Sequence, residues 1–199
     1  MEVKIADTFF ESFKRMINRE NWYWKTWDFI RYDFPNFVNN IWKFRKALFS
    51  YHWWDHHGIL KFNEAAFDHM ANVIEIHGNE VDESRLKKVA AMRRAAQLIR
   101  NYNQDLYIEM AEAELGEIIM HPWEFEPVPD NPEYFQLKDF DSPEEKEHNS
   151  KVFARAREIG EAEWAELWTI MNGQDYSLFS KEEEWAAQFD GSGLRGWWD

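Results

Sequence analysis

The chain has 199 residues, with 37 Asp and Glu against 23 Lys and Arg, a formal charge of −14 and no cysteine. That length predicts one helical domain over residues 1–199, and the lack of Cys excludes disulfides, thiol nucleophiles and thiolate metal sites. The acidity argues against nucleic acid or an anionic membrane as a partner, because both are polyanions.

Residues 5–19 place Phe9, Phe10, Phe13, Met16 and Ile17 at helical spacing. The aromatic run from Trp22 to Arg31 has no clear period. Pro35 marks a boundary, since proline disfavours helix at the residue before it and suits a first turn. A helix is expected from there to about Tyr51, with Phe37, Ile41, Phe44 and Leu48 on one face and Lys43, Arg45 and Lys46 on another. Asp55 is a suitable N-cap for a helix from His56 to His77, closed by Gly78-Asn79. On its wheel Ile59, Leu60, Phe67, Met70 and Ile74 share a face, and His56, Asn63 and His77 lie within it.

Asp82 reads as the next N-cap, before a helix running to about Tyr102, and a further helical stretch covers Gln104 to His121. Residues 122–142 are rich in Pro and aromatic side chains and read as irregular, with no strand signal. Ser142-Pro143-Glu144-Glu145 is a capping box that opens a helix to Met171, and Ser180-Lys181-Glu182-Glu183 opens a short one to about Phe189. The terminus from Gly191 to Asp199 combines glycine with Trp197-Trp198 and is expected to dock. The expected fold is therefore all-α, a single-domain bundle of about six to seven helices with one irregular segment.

In the helix after Asp82, Leu86, Val89, Met92, Ala96 and Ile99 form the apolar face, edged by Arg85, Arg93 and Arg100. Arginine at such an edge needs an anion. It is supplied by the chain's own acids or by a bound phosphate, which a guanidinium holds through two hydrogen bonds. The doublets Trp53-Trp54 and Trp197-Trp198 cannot each bury both rings on one face, which leaves an indole for stacking or for an interface. With His56, these define a candidate site for a small anionic, nucleotide-like ligand.

Glu117 and His121 fall four apart on the Gln104–His121 stretch, but the acids of these helices read as solvated, so no metal site is expected. Glu109, Glu112, Glu114 and Glu117 carry the Glu-x-x-Glu spacing, and this stretch is similar to a helix of the all-α, Mg²⁺-dependent nucleoside-triphosphate pyrophosphohydrolases. Their second motif is not matched, since Glu64 and Asp68 are four apart rather than three. No nucleophile elbow, P-loop or dinucleotide turn is present, so no catalytic residue or cofactor is assigned.

The segments Arg31-Tyr32-Asp33-Phe34-Pro35, Trp42-Lys43-Phe44-Arg45-Lys46, Trp53-Trp54-Asp55, His77-Gly78-Asn79-Glu80 and the terminal Trp197-Trp198-Asp199 resemble a family of tailed bacteriophages and viral metagenomes. The likeness covers roughly 29–120 and the C-terminus, and residues 174–193 read as an insertion. It implies a host bacterial cytoplasm and carries no assigned activity. Three uses follow as expectations. The leading one is a non-enzymatic accessory protein that sequesters an anionic, nucleotide-like defence signal. A second is a virion-associated or homo-oligomeric interaction protein without a ligand. A third is a Mg²⁺-dependent all-α nucleotide pyrophosphohydrolase that uses Glu109, Glu112 and a facing acid.

No apolar run reaches the ~20 residues that cross a bilayer, and Met1-Glu2-Val3-Lys4 lacks the character of a signal peptide. The expectation is a cytoplasmic protein.

Overall fold

Helices dominate the computed structural model, which describes residues 22–52, 54–129, 131–174 and 188–197. Helix α1 (Trp22–Asp28) passes through a π-helical turn (Phe29–Asp33) directly into α2 (Phe34–Phe49). The boundary expected at Pro35 is thus not a break. Proline lacks an N–H and its ring crowds the carbonyl four residues back. The chain absorbs this by widening one turn, in which the N–H of Phe34 donates to the carbonyl of Phe29, five residues earlier.

Helix α3 (His56–His77) has the expected limits. Asp55 caps it, accepting the N–H of His57 at 3.0 Å. Helix α4 (Asp82–Asn103) starts one residue earlier than expected: Val81 is its N-cap and Asp82 sits in the first turn. There Asp82 is placed for the helix dipole rather than for capping. Helix α5 (Tyr107–Leu115) stops at Gly116, whose φ of 103° leaves the helical region. The helix expected as far as His121 therefore ends six residues early.

The segment 122–142 is not wholly irregular. Strands β1 (Phe125–Val128) and β2 (Asn131–Leu137) form an antiparallel hairpin, with Phe125 opposite Leu137 and Pro127 opposite Phe135. The register shifts between Pro127 and Val128. A two-stranded ribbon has only edge strands, where proline is tolerated because its missing donor faces no partner. That is why prolines hid the hairpin. Helix α6 (Pro143–Asn172) opens with the expected capping box: Ser142 Oγ accepts from Glu145 N, and the Glu145 carboxylate accepts from Ser142 N. The box expected at Ser180 and the helix expected over 5–19 lie outside the described residues.

The chain divides into two units, Met1–Ala66 and Phe67–Asp199, and the division falls inside α3. In the first, the rings of Phe44 and Tyr51 pack around Phe62 at 6.1 and 5.8 Å. In the second, α4 supplies a buried stripe of Val89, Met92, Ala95, Ala96, Leu98 and Ile99. Leu86, placed on that stripe by the wheel, is instead exposed. Tyr107 and Ala111 of α5 pack with Val152 and Ala156 of α6 in a second cluster. Phe67 and Ile74 are buried as expected, whereas Ile59, His56 and His77 are exposed. The wheel of α3 therefore does not bury the histidines assigned to its apolar face.

The C-terminal segment docks, as its aromatic content suggests. The ring of Trp197 meets Phe67 edge-on at 5.2 Å and is buried. Gly191 lies so close to α4 that a Cβ there would come within 2.1 Å of the Lys87 carbonyl oxygen.

Candidate functional site

The arginines of α4 are each held by the chain's own acids. Arg85 donates to Asp82 Oδ1 at 2.7 Å and to the carbonyl of Gly78 at 3.1 Å. Arg93 forks onto Glu75 at 3.2 and 2.5 Å. Arg100 donates to Asp68 Oδ2 at 2.9 Å and to Gln97 at 3.1 Å. At about 1.5 Å rise per residue, Arg85 and Arg100 lie roughly 22 Å apart along the helix axis. One phosphate group cannot bridge that span.

The best-formed guanidinium pair in the described residues was not singled out by sequence. Arg94 grips Glu166 of α6 with two bonds of 2.7 and 2.6 Å. The Glu166 carboxylate holds the Arg94 pKa above its ordinary value, and Arg94 holds that of Glu166 below the usual carboxylate range. Beside it, buried Asn101 donates to both oxygens of Glu163 at 3.1 and 3.0 Å and accepts from Gln97 at 2.6 Å. Lys88 is also buried and pairs with Glu80. An i,i+4 wheel pairs residues within one helix, as it does Gln97 and Asn101, but Glu166, Glu163 and Glu80 come from other segments.

No protein-family model matches the chain, and no curated protein or solved structure is similar to it.

Trp197 is not open for stacking: it is buried, and its indole N–H donates to the carbonyl of Gly191 at 2.8 Å. Trp54 is exposed and stacks on His52 at 5.0 Å, and the ring of His56 lies 4.3 Å from that of His57. Trp54 and His56 belong to the first unit, and the arginines to the second. Trp53 and Trp198 lie outside the described residues.

The Glu-x-x-Glu helix is likewise engaged locally. Glu112 accepts the N–H of Ile118 at 2.9 Å, so it caps the chain leaving α5. Glu114 binds Arg155 of α6 at 2.7 and 3.2 Å, and Arg155 lowers its pKa. Asp68 is taken by Arg100. Because α5 ends at Leu115, Glu117 and His121 no longer share a helical face.

Among the described residues, two groups of His and carboxylate atoms lie close enough together to hold an ion: Asp55 with His56 and His57, and His121 with Asp141 and Glu145. The first comes from three consecutive residues at the start of α3, where Asp55 is the cap; the second brings His121 to the start of α6, where Glu145 is likewise a capping residue that accepts from Ser142 N.

The most unusual surface is aromatic. In α1 and α2, Trp22, Tyr23, Trp24 and Trp42 are 61%, 63%, 67% and 66% exposed, and Phe49 is 92% exposed. Among the described residues of these two helices only Ala47 is buried. Arg45 lies 4.0 Å over the Trp42 ring and Arg31 5.5 Å over Tyr32. Residues 22–50 contain five basic and two acidic side chains, whereas residues 51–199 contain 14 and 31.

Proposed function

We propose that this chain is a non-enzymatic interaction protein that self-associates through the aromatic, basic surface of α1 and α2. The observation that carries the reading is the exposure of Trp22, Trp24 and Trp42 together on a segment with almost no buried residue. Exposed apolar patches of this kind mark interaction sites, and Trp and Arg are the side chains enriched where interfaces concentrate their energy. The charge pattern supports a second copy as the occupant. The segment is basic while the rest of the chain is strongly acidic, so it attracts another copy's acidic surface.

A ligand-binding role for Arg85, Arg93 and Arg100 would require a phosphate to displace Asp82, Glu75 and Asp68. The pyrophosphohydrolase reading would likewise have to recruit Glu112 from its capping bond. Both are less economical than the ion pairs and caps already formed. The resemblance of the 31–35, 42–46, 53–55, 77–80 and 197–199 segments supports a tailed-phage origin. On that reading the assembly works in the cytoplasm of an infected bacterium, as an accessory or virion-associated component. No helix among the described residues is long and apolar enough to cross a membrane.

Native mass spectrometry of the purified full chain tests this. The expected result is an oligomer with no bound small molecule, which becomes monomeric in the Trp24→Ala/Trp42→Ala double variant with unchanged helical circular dichroism. A wild-type monomer, or release of an anion of nucleotide mass, would overturn it.

A further inference from the structure

The side chains of His121, Asp141 and Glu145 converge from two places: the chain leaving α5 supplies His121, and the capping turn of α6 supplies Asp141 and Glu145. Their donor atoms all lie within 4.8 Å of one another. His121 Nε2 is 3.3 Å from Glu145 Oε2 and 3.8 Å from Asp141 Oδ1. We propose that these three side chains form a binding site for a divalent transition-metal ion of the Zn²⁺ class.

Charge is the first argument. Two carboxylates face one imidazole, which supplies at most one positive charge. Of the neighbouring lysines, Lys146 pairs with Asp139 and also attracts Asp141 through space, and Lys138 pairs with Glu124. A divalent ion balances both carboxylates. Its bonds to nitrogen and oxygen of about 2.0–2.2 Å put neighbouring donors roughly 3–3.5 Å apart, so the observed spacings need only a small inward movement. One nitrogen and two oxygens suit a borderline ion rather than a soft one.

Preorganisation is the second argument. The 117–121 segment carrying His121 is pinned at three points. Glu112 accepts from Ile118 N at 2.9 Å, His148 Nε2 bonds the Glu117 carbonyl at 2.9 Å, and Asn149 makes a reciprocal pair with Ile119 at 3.0 and 2.8 Å. Ser142 N holds the Glu145 carboxylate at 2.7 Å. Metal sites depend on such supporting bonds to aim their donors.

The setting is the third. His121 and Asp141 line a pocket of about 590 Å³ whose walls include Ile108, Met120, Trp123, Phe140 and Phe153. Three protein donors leave coordination open, and the pocket provides room there for water or for the acid group of an apolar ligand.

The test is isothermal titration of the tag-free full chain, stripped with chelator, with Zn²⁺ alone near neutral pH. His121→Ala and Asp141→Asn are compared with His57→Ala as a control for the other cluster. Asp141→Asn keeps the size of the side chain, so it reports even where His121→Ala disturbs the loop. The expected result is one equivalent bound by the wild type and by His57→Ala, weakened more than about a hundredfold in the other two. That exceeds the ~10–100-fold cost of losing a supporting partner. Co²⁺ in place of Zn²⁺ should give visible absorption bands that vanish in Asp141→Asn. No saturable equivalent in the wild type, or one that His121→Ala and Asp141→Asn leave unchanged, would overturn the site and reduce the cluster to an ion pair that fastens the loop.

Discussion

The indole N–H of Trp197 donates to the carbonyl oxygen of Gly191, six residues earlier, at 2.8 Å. This bond closes the C-terminal segment over a glycine with φ of +85° that rests against the backbone of α4 at Lys87. The relationship explains why a Gly-rich terminus packs: glycine permits both the conformation and the close approach. Replacing Gly191 with Ala brings both strain and overlap with a carbonyl that cannot move without unwinding α4. A cost of about 3 kcal/mol is expected, combining a strained backbone with overpacking. Thermal denaturation should show a midpoint lower by roughly 10 °C for a chain of this size. Trp197→Phe keeps a ring against Phe67 but strands the Gly191 carbonyl, so its loss should be smaller, about 1–2 kcal/mol.

Asn101 and Glu163 set the second prediction. Asn101 is buried and spends both its amide donor and its acceptor, on Glu163 and Gln97. Asn101→Leu has a similar volume but leaves the half-buried Glu163 carboxylate without its amide partner. Denaturant unfolding should show a loss of about 3 kcal/mol, the scale for breaking a buried charged hydrogen bond. Asn101→Leu combined with Glu163→Leu should recover part of it. A double variant no more stable than Asn101→Leu would show that the residues do not act as a pair.

Tyr107 makes the alkaline limb of stability measurable. Burial, reinforced by the negative charge of Glu163, pushes its phenol up to about 12. The neutral phenol is therefore favoured in the folded state. Its contribution is fully present below the unfolded value of about 10. It is lost as pH rises through the folded value, because only the unfolded chain releases the proton in between. The wild-type melting temperature should fall between pH 10 and 12 more steeply than that of Tyr107→Phe. Parallel curves would show that Tyr107 titrates like an exposed phenol.

Much of the helical layout was legible from local signals. Asp55 with Gly78 bounded α3, and Ser142-Pro143-Glu144-Glu145 located the start of α6, because caps are decided within one turn of chain. The signals failed where longer-range geometry decides. Pro127 argued against a strand, yet it sits in a ribbon that has only edges. Pro35 argued for a break, yet a π turn accommodates it. Gly116 ended α5, although acidic and apolar residues continue helical periodicity to His121. That early ending turns His121 toward Asp141 and Glu145, a meeting of residues 20 and 24 positions apart that helical spacing does not encode. The arginines of α4 were correctly placed as needing anions. Which anion depended on α3 and the α4 start, whose acids come into reach only on folding.

Arg93 separates the ion-pair reading from an anion site most directly. Its guanidinium forks onto Glu75, and both side chains are partly exposed, at 49% and 37%. Exposed pairs of this kind contribute about 0–1 kcal/mol, so Arg93→Ala should lower stability by no more than that. Arg93→Glu sets two carboxylates against each other and should lower it further, by an amount that shrinks as salt screens the repulsion. The decisive variant is the swap, Arg93→Glu with Glu75→Arg. If the arginine serves only its internal partner, the swap restores wild-type stability and leaves the oligomer seen by native mass spectrometry intact. A phosphate-binding Arg93 behaves differently. The swapped chain would regain stability yet fail to retain any anion that the wild type carries, because the positive charge would have moved from α4 to α3. Stability and retained mass, measured together on the same four chains, therefore distinguish a guanidinium that holds the fold together from one that holds a ligand.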